Sequence, residues 1–173
     1  MDQLKIEIIP SNEMDSELKE AIKEWLVSEF IEEDDNTIWS DVDWHILGWS
    51  DIELVGHLDV LNREVIVNGV RVSVAGIGGV VTMIGWRGKG IASKLMRETH
   101  YFLVEEMNAD FGLLMCDKNR VTFYQDLGWM LIDNPLEYDQ PSGKVTFDDC
   151  VMIYPLGQFD FPPGKINIQG CPW

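Results

Sequence analysis

A β-branched run, Val80-Val81-Thr82, breaks into the turn Arg87-Gly88-Lys89-Gly90, and an amphipathic pattern begins directly after it. Ile91, Leu95, Thr99 and Phe102 fall on one face of the helix that this spacing predicts. A strand that feeds a glycine loop at a helix N-terminus aims several backbone N–H groups outward, with the positive end of the helix dipole behind them. Such a loop is an anion site. Gly88 and Gly90 let phosphate approach the backbone, and Arg87 and Lys89 add positive charge. The arrangement suits the pyrophosphate of a phosphorylated cofactor.

Spacing narrows the choice. A Walker loop needs GxxxxGK[ST], but Met83 stands at the first glycine position and Gly90 at the Ser/Thr position. The dinucleotide fingerprint GxGxxG also fails, because Gly76-Ile77-Gly78 ends on Val81 and Gly88-Lys89-Gly90 ends on Ser93. Q/R-x-x-G-x-G/A does fit, read as Arg87, Gly90 and Ala92. With that loop the sequence resembles the GCN5-related N-acetyltransferases, which cradle the pyrophosphate of coenzyme A in this way. Two later stretches extend the resemblance. Phe111-Gly112-Leu113-Leu114-Met115-Cys116 reads as a buried strand. The segment Asn119 to Trp129 is similar to the family's next one, a short helix with a Phe-Tyr pair closed by Gly128 and an aromatic residue.

The resemblance covers roughly residues 70 to 135 and implies an α/β fold, a mixed and mostly antiparallel sheet with helices on both faces. It implies acetyl-coenzyme A as acetyl donor, with Arg87, Gly88, Lys89, Gly90, Ile91, Ala92 and Asn119 at the cofactor. The pantetheine arm would pair with Val80, Val81 and Thr82 like an added strand, bringing the thioester near Gly78 and Gly79. Tyr124 would donate a proton to the departing thiolate, or else simply pack in the core. The pattern breaks at the base, since many relatives carry a glutamate where this chain has Gly78. Asp34, Asp35, Asp43 or an ordered water chain are the remaining candidates. The Asp43-Trp44 pair, Trp86-Arg87-Gly88 and Trp173 are also similar to the aminoglycoside 2′-N-acetyltransferases, in which a final Trp carboxylate and acidic side chains hold a cationic aminosugar. Cys171 stands where that subfamily has an aspartate.

Length and composition predict a single domain over residues 1–173, because 173 residues at 46% hydrophobic can bury one sizeable core. Thirty acidic against thirteen basic residues leave a formal charge of −17, which argues against nucleic acid and favours a cationic substrate. No apolar stretch reaches membrane-spanning length and no secretory leader is recognisable at the N-terminus, so no membrane partner is expected. Three cysteines without metal-type spacing suit reduced thiols in the cytoplasm, and the histidines are too scattered to suggest a metal site. A homodimer stays open.

Along the chain, strands are expected at Lys5 to Ile9, Trp44 to Trp49 and Ile52 to Val67. A helix is expected over about residues 15 to 31. Asn68-Gly69 is a hairpin signal, and the next strand, Val70 to Met83, carries glycines that predict a bulge. The tail 155–173, rich in Pro, Gly and aromatic residues, is read either as disordered or as packed back near the acceptor cleft. The expected activity is acetyl transfer to a primary amine of a cationic small molecule, with an aminoglycoside-like aminosugar as the candidate acceptor. Two rivals are a peptide or protein amine acceptor and a sensor that binds acyl-coenzyme A without turnover.

Overall fold

The structure is a computed structural model that describes residues 4–30 and 36–173. Strand β1, Lys5–Pro10, pairs antiparallel with β2, Trp44–Ser50. Between them lies helix α1, Ser16–Phe30. Asp15 starts this helix: its Oδ1 accepts hydrogen bonds from the amides of Glu17 and Leu18, at 2.9 and 3.1 Å. Two donors that a helix start leaves free are thereby satisfied.

Strands β3, Glu53–Val67, and β4, Val70–Thr82, form the long central hairpin. Its turn residues Asn68 and Gly69 have φ of 48° and 85°, the positive values that a type I′ turn demands and the Asn-Gly pair predicts. Helix α2, Ile91–Glu106, strand β5, Phe111–Cys116, and helix α3, Val121–Gln125, follow. The remaining strands are β6, Met130–Ile132, β7, Leu136–Gln140, β8, Gly143–Phe147, β9, Cys150–Pro155, and β10, Ile166–Asn167. All ten belong to one sheet whose main path runs β6-β9-β5-β4-β3-β10-β7-β8, with β2 also on β3 and β1 beyond it. Among the described residues only β4–β5 and β10–β7 are parallel, so the sheet is mixed and mostly antiparallel as expected.

Alternation along the strands sorts the core onto two faces. Ile46, Leu58, Val60, Ala75 and Ile77 point to the side of α2 and α3, packing with Leu95, Met96, Leu103 and Trp129. The helical face read from the sequence is correct, since Ile91, Leu95, Thr99 and Phe102 are all buried. Leu47 points to the opposite side and meets Ile22 of α1. Also opposite α2 is a second cluster of Leu61, Val72, Val74, Ile166, Ile168 and Trp173. Helices therefore lie on both faces. The tail packs on the domain, since β10 joins the sheet and Trp173 is buried.

His100 illustrates a cost of this packing. Its Nε2 accepts a hydrogen bond from Trp129 Nε1 at 2.9 Å and its ring stacks on Tyr154 at 4.1 Å. Burial, helped by the Arg97 charge, lowers its pKa to about 4. The unfolded chain takes up this proton near pH 6.5, whereas the folded chain resists it. The stability that neutral His100 contributes is complete above pH 6.5 and falls as pH drops from there towards 4. Urea denaturation across that window should show this loss reduced in His100→Gln.

Candidate active site

After β4 the chain makes one 3₁₀ turn, Ile84–Trp86, and enters the glycine loop. Gly88 and Gly90 take φ of 74° and 76°, the left-handed region that glycine occupies without strain. Among the described residues, nothing beyond the adjoining chain comes within 4 Å of where a Cβ would stand on either residue, so there is open space beside the backbone. Gly90 is the N-cap of α2, and its carbonyl accepts the first helical bond from Lys94 at 3.1 Å. The free amides of the first turn therefore face out at the dipole's positive end, and the loop fits a pyrophosphate. Lys89 Nζ lies 4.4 Å from the Trp86 ring centre. Arg87 donates to Thr82 O at 3.1 Å and pairs with Glu29 of α1 at 2.7 Å, which ties the loop to both neighbouring elements.

Upstream of the loop, β4 leaves β5. The two strands are in register only from Val74↔Phe111 to Ile77↔Leu114, whereas β4 stays paired to β3 as far as Thr82. Gly78 to Thr82 consequently lie past the point where β4 and β5 part, in the stretch that leads to the glycine loop. The expected bulge is present: two steps along β3, from His57 to Asp59, match three along β4, from Val81 to Gly78. Gly79 carries the kink, with φ of 56°. Val80 is half-buried and Val81 buried.

On the face opposite α2, Trp173 crosses β4. A Cβ on Gly76 would stand 2.7 Å from the indole Cζ2, and one on Gly78 would stand 2.9 Å from the Trp173 main-chain carbon. Ser40 and Arg63 hold this end of the chain. Ser40 N donates to Pro172 O at 2.8 Å, Ser40 Oγ to Cys171 O at 2.8 Å, and Arg63 Nη1 to Cys171 O at 2.7 Å. The Arg63 guanidinium also lies 5.2 Å from the Trp173 ring centre.

Beside Gly79 the structure assembles a group that the sequence spacing conceals. Asp59 is the cross-strand partner of both Gly78 and His45, so its carboxylate stands one strand from the missing glutamate. Its Oδ2 lies 2.6 Å from where a Cβ on Gly79 would be. Asp59 Oδ1 is 2.7 Å from His45 Nδ1 and 3.0 Å from His57 Nε2. The two ring nitrogens are 3.2 Å apart, and His57 Nδ1 meets Gly79 O at 3.1 Å. All three residues are buried. Burial pushes the Asp59 pKa up, but once His57 is protonated its charge, with hydrogen bonds from both histidines, outweighs burial and holds the carboxyl below its ordinary range. The sequence reading treated the histidines as scattered, yet antiparallel pairing of β2 with β3 joins two of them. The alternation His57-Leu58-Asp59 within a strand was the available signal.

The other sequence candidates are dispersed. Asp43 is exposed at the start of β2, and its Oδ2 accepts from the Asn62 amide at 2.7 Å. Asp34 and Asp35 lie outside the described residues. Asn119 is exposed in the 3₁₀ turn before α3. Tyr124 is buried in the α2-side cluster, its ring 5.0 Å from Phe123 and 6.3 Å from Trp129. Burial raises the phenol's pKa, with the neighbouring Cys116 thiol adding to it, so its hydroxyl is protonated at neutral pH.

Known proteins share this architecture. The Escherichia coli protein ElaA superposes with a TM-score of 0.62 at 19% identity, over 87% of this chain and 99% of its own. A GNAT family N-acetyltransferase from the same organism, YhbS, solved in complex with CoA, gives 0.62 at 16% identity over 97% and 91%. A GNAT acetyltransferase from Staphylococcus aureus Mu50 gives 0.57 at 19% identity over 88% and 99%. These likenesses establish the fold. The family follows from sequence: the model of the acetyltransferase (GNAT) domain matches residues 16–132, from the start of α1 to the end of β6. The chain belongs to the GNAT acetyltransferases, enzymes that transfer an acyl group from acyl-coenzyme A to an amine.

Proposed function

We propose that the protein acetylates a primary amine of a small cationic molecule, with an aminosugar of the aminoglycoside type as a fitting acceptor. The observation that carries the size of the acceptor is the tail. Trp173 lies over Gly76 and Gly78 and is held there by Ser40 and Arg63, which narrows the acceptor side of β4. A peptide acceptor needs an extended groove on that side. The charge of −17 favours a cation and raises its concentration near the surface.

In this reading Arg87 to Ala92 bind the pyrophosphate, Asn119 contacts the cofactor, and Val80, Val81 and Thr82 pair with the pantetheine arm. The bulge at Gly79 turns backbone amides towards the thioester carbonyl, where they oppose developing negative charge. Gly78 and Gly79 leave room for the amine, while Asp43 and the acidic residues Asp34 and Asp35 attract it. Tyr124 supplies the proton for the thiolate. Tyr124→Phe should then lower kcat by about 100-fold while acetyl-coenzyme A affinity is maintained. Equal turnover in the two proteins, under conditions where chemistry limits the rate, assigns Tyr124 to packing alone.

Thiol release from acetyl-coenzyme A across an aminoglycoside, a linear polyamine and a lysine peptide tests the acceptor class. Turnover with the first two and none with the peptide is the expected outcome. Peptide turnover alone reverses the assignment, and cofactor binding without any turnover identifies a sensor.

A further inference from the structure

We propose that Asp59, His57 and His45 form the general base of the reaction, moved from β4 to the neighbouring strands β3 and β2. The proposal rests on the acetyl-transfer reading above and names the group that takes the amine's proton.

The hydrogen-bond pattern shows why the cluster accepts one proton. His57 Nδ1 faces the Gly79 carbonyl at 3.1 Å, so this nitrogen carries a hydrogen and Nε2 presents a lone pair. That lone pair faces Asp59 Oδ1 at 3.0 Å, and a carboxylate oxygen is also an acceptor. His45 Nδ1, at 2.7 Å from Asp59 Oδ1 and 3.2 Å from His57 Nε2, provides the single N–H between these two acceptors. The buried His45 Nε2 is then an acceptor with no hydrogen-bond partner among the described residues. A second proton on His57 Nε2 converts the repulsive contact with Asp59 into an ion pair, while Nδ1 stays bonded to Gly79 O.

Position completes the argument. Gly79 forms the bulge just past the point where β4 leaves β5, and Asp59 Oδ2 lies against it. A carboxylate there stabilises an ammonium first and then receives its proton. The amine nitrogen bonds to the thioester carbonyl carbon, the C–S bond breaks, and its electron pair leaves on sulfur. A primary ammonium gives up two protons overall. One passes through Asp59 to His57 Nε2 and returns through the partly exposed Asp59 to water after the product leaves, and the other ends on the thiol, delivered by Tyr124. Asp59 touches the reacting amine, whereas His57 and His45 act through it.

The test uses Asp59→Asn in the full chain, with two acceptors: an alkylamine, protonated at pH 7, and an arylamine that is already neutral there. With the alkylamine, kcat should fall about 100-fold or more, whereas the arylamine rate should fall less than about tenfold. Acetyl-coenzyme A binding by calorimetry should match the wild type. His57→Gln should reproduce the selectivity, and it decides the matter if Asp59→Asn does not fold. Wild-type rates in the variants overturn the proposal. Equal losses for both amines do so as well, because they mark a structural role. Activity abolished by a chelator and restored by zinc would make the cluster a metal centre and also overturn it. Wild-type protein that acetylates neither amine defeats the acetyl-transfer reading itself, and this proposal with it.

Discussion

Replacing Gly90 by aspartate should weaken acetyl-coenzyme A binding by about 100-fold or more, on the order of 3 kcal/mol. Gly90 is the N-cap of α2 with φ of 76°, and its surroundings are open. Aspartate tolerates the left-handed region better than most residues, so the fold should survive. The new carboxylate stands where the helix's free amides and positive dipole end receive phosphate, and it both repels the anion and competes for those donors. Calorimetry on the folded variant reads the loss directly. Unchanged affinity would remove the loop from the cofactor site.

Gly76→Leu should detach the tail. A Cβ at this position would already stand 2.7 Å from the Trp173 indole, before the rest of the side chain is added. β4 cannot retreat, because it is paired on both sides here, to Leu61 of β3 and Leu113 of β5. The indole must leave, and exposing a buried Trp forfeits about 3 kcal/mol or more. The expected readouts are a melting temperature lower by about 6 °C or more and rapid amide exchange over residues 166–173. The KM for the amine should rise as well, since Trp173 no longer narrows the acceptor side. A variant with wild-type exchange in the tail would show that Trp173 is not held by this contact.

Local chemistry was legible in the chain itself. Gly88 and Gly90 declared the left-handed turn ahead of α2 because glycine reaches its backbone angles without strain, and Asn68-Gly69 declared the hairpin through the same positive-φ requirement. The 3.6-residue period of Ile91, Leu95, Thr99 and Phe102 assigned the buried face of α2, since burial follows helical spacing. The glycines of β4 signalled the bulge. These features depend on residues within a turn or two of each other.

Contacts across strands were not legible. Asp59 and His45 stand side by side only because β2 and β3 pair in one particular register, and a slip of one residue would have turned either side chain to the α2 face. The same register sets Asp59 opposite Gly78, so the carboxylate absent from one strand is found on the next. The tail was equally open to two readings, because its few apolar side chains gain order only where β10 finds β3 and β7 and Trp173 finds the glycines of β4. Sequence by itself determined the family, through motifs whose residues lie close together in the chain, and the glycine turn and helix after β4, through backbone angles and periodicity that are local properties. Tertiary structure alone decided which residues gather around Gly78 and Gly79, because long-range pairing brings together residues whose separation in the chain carries no record of it.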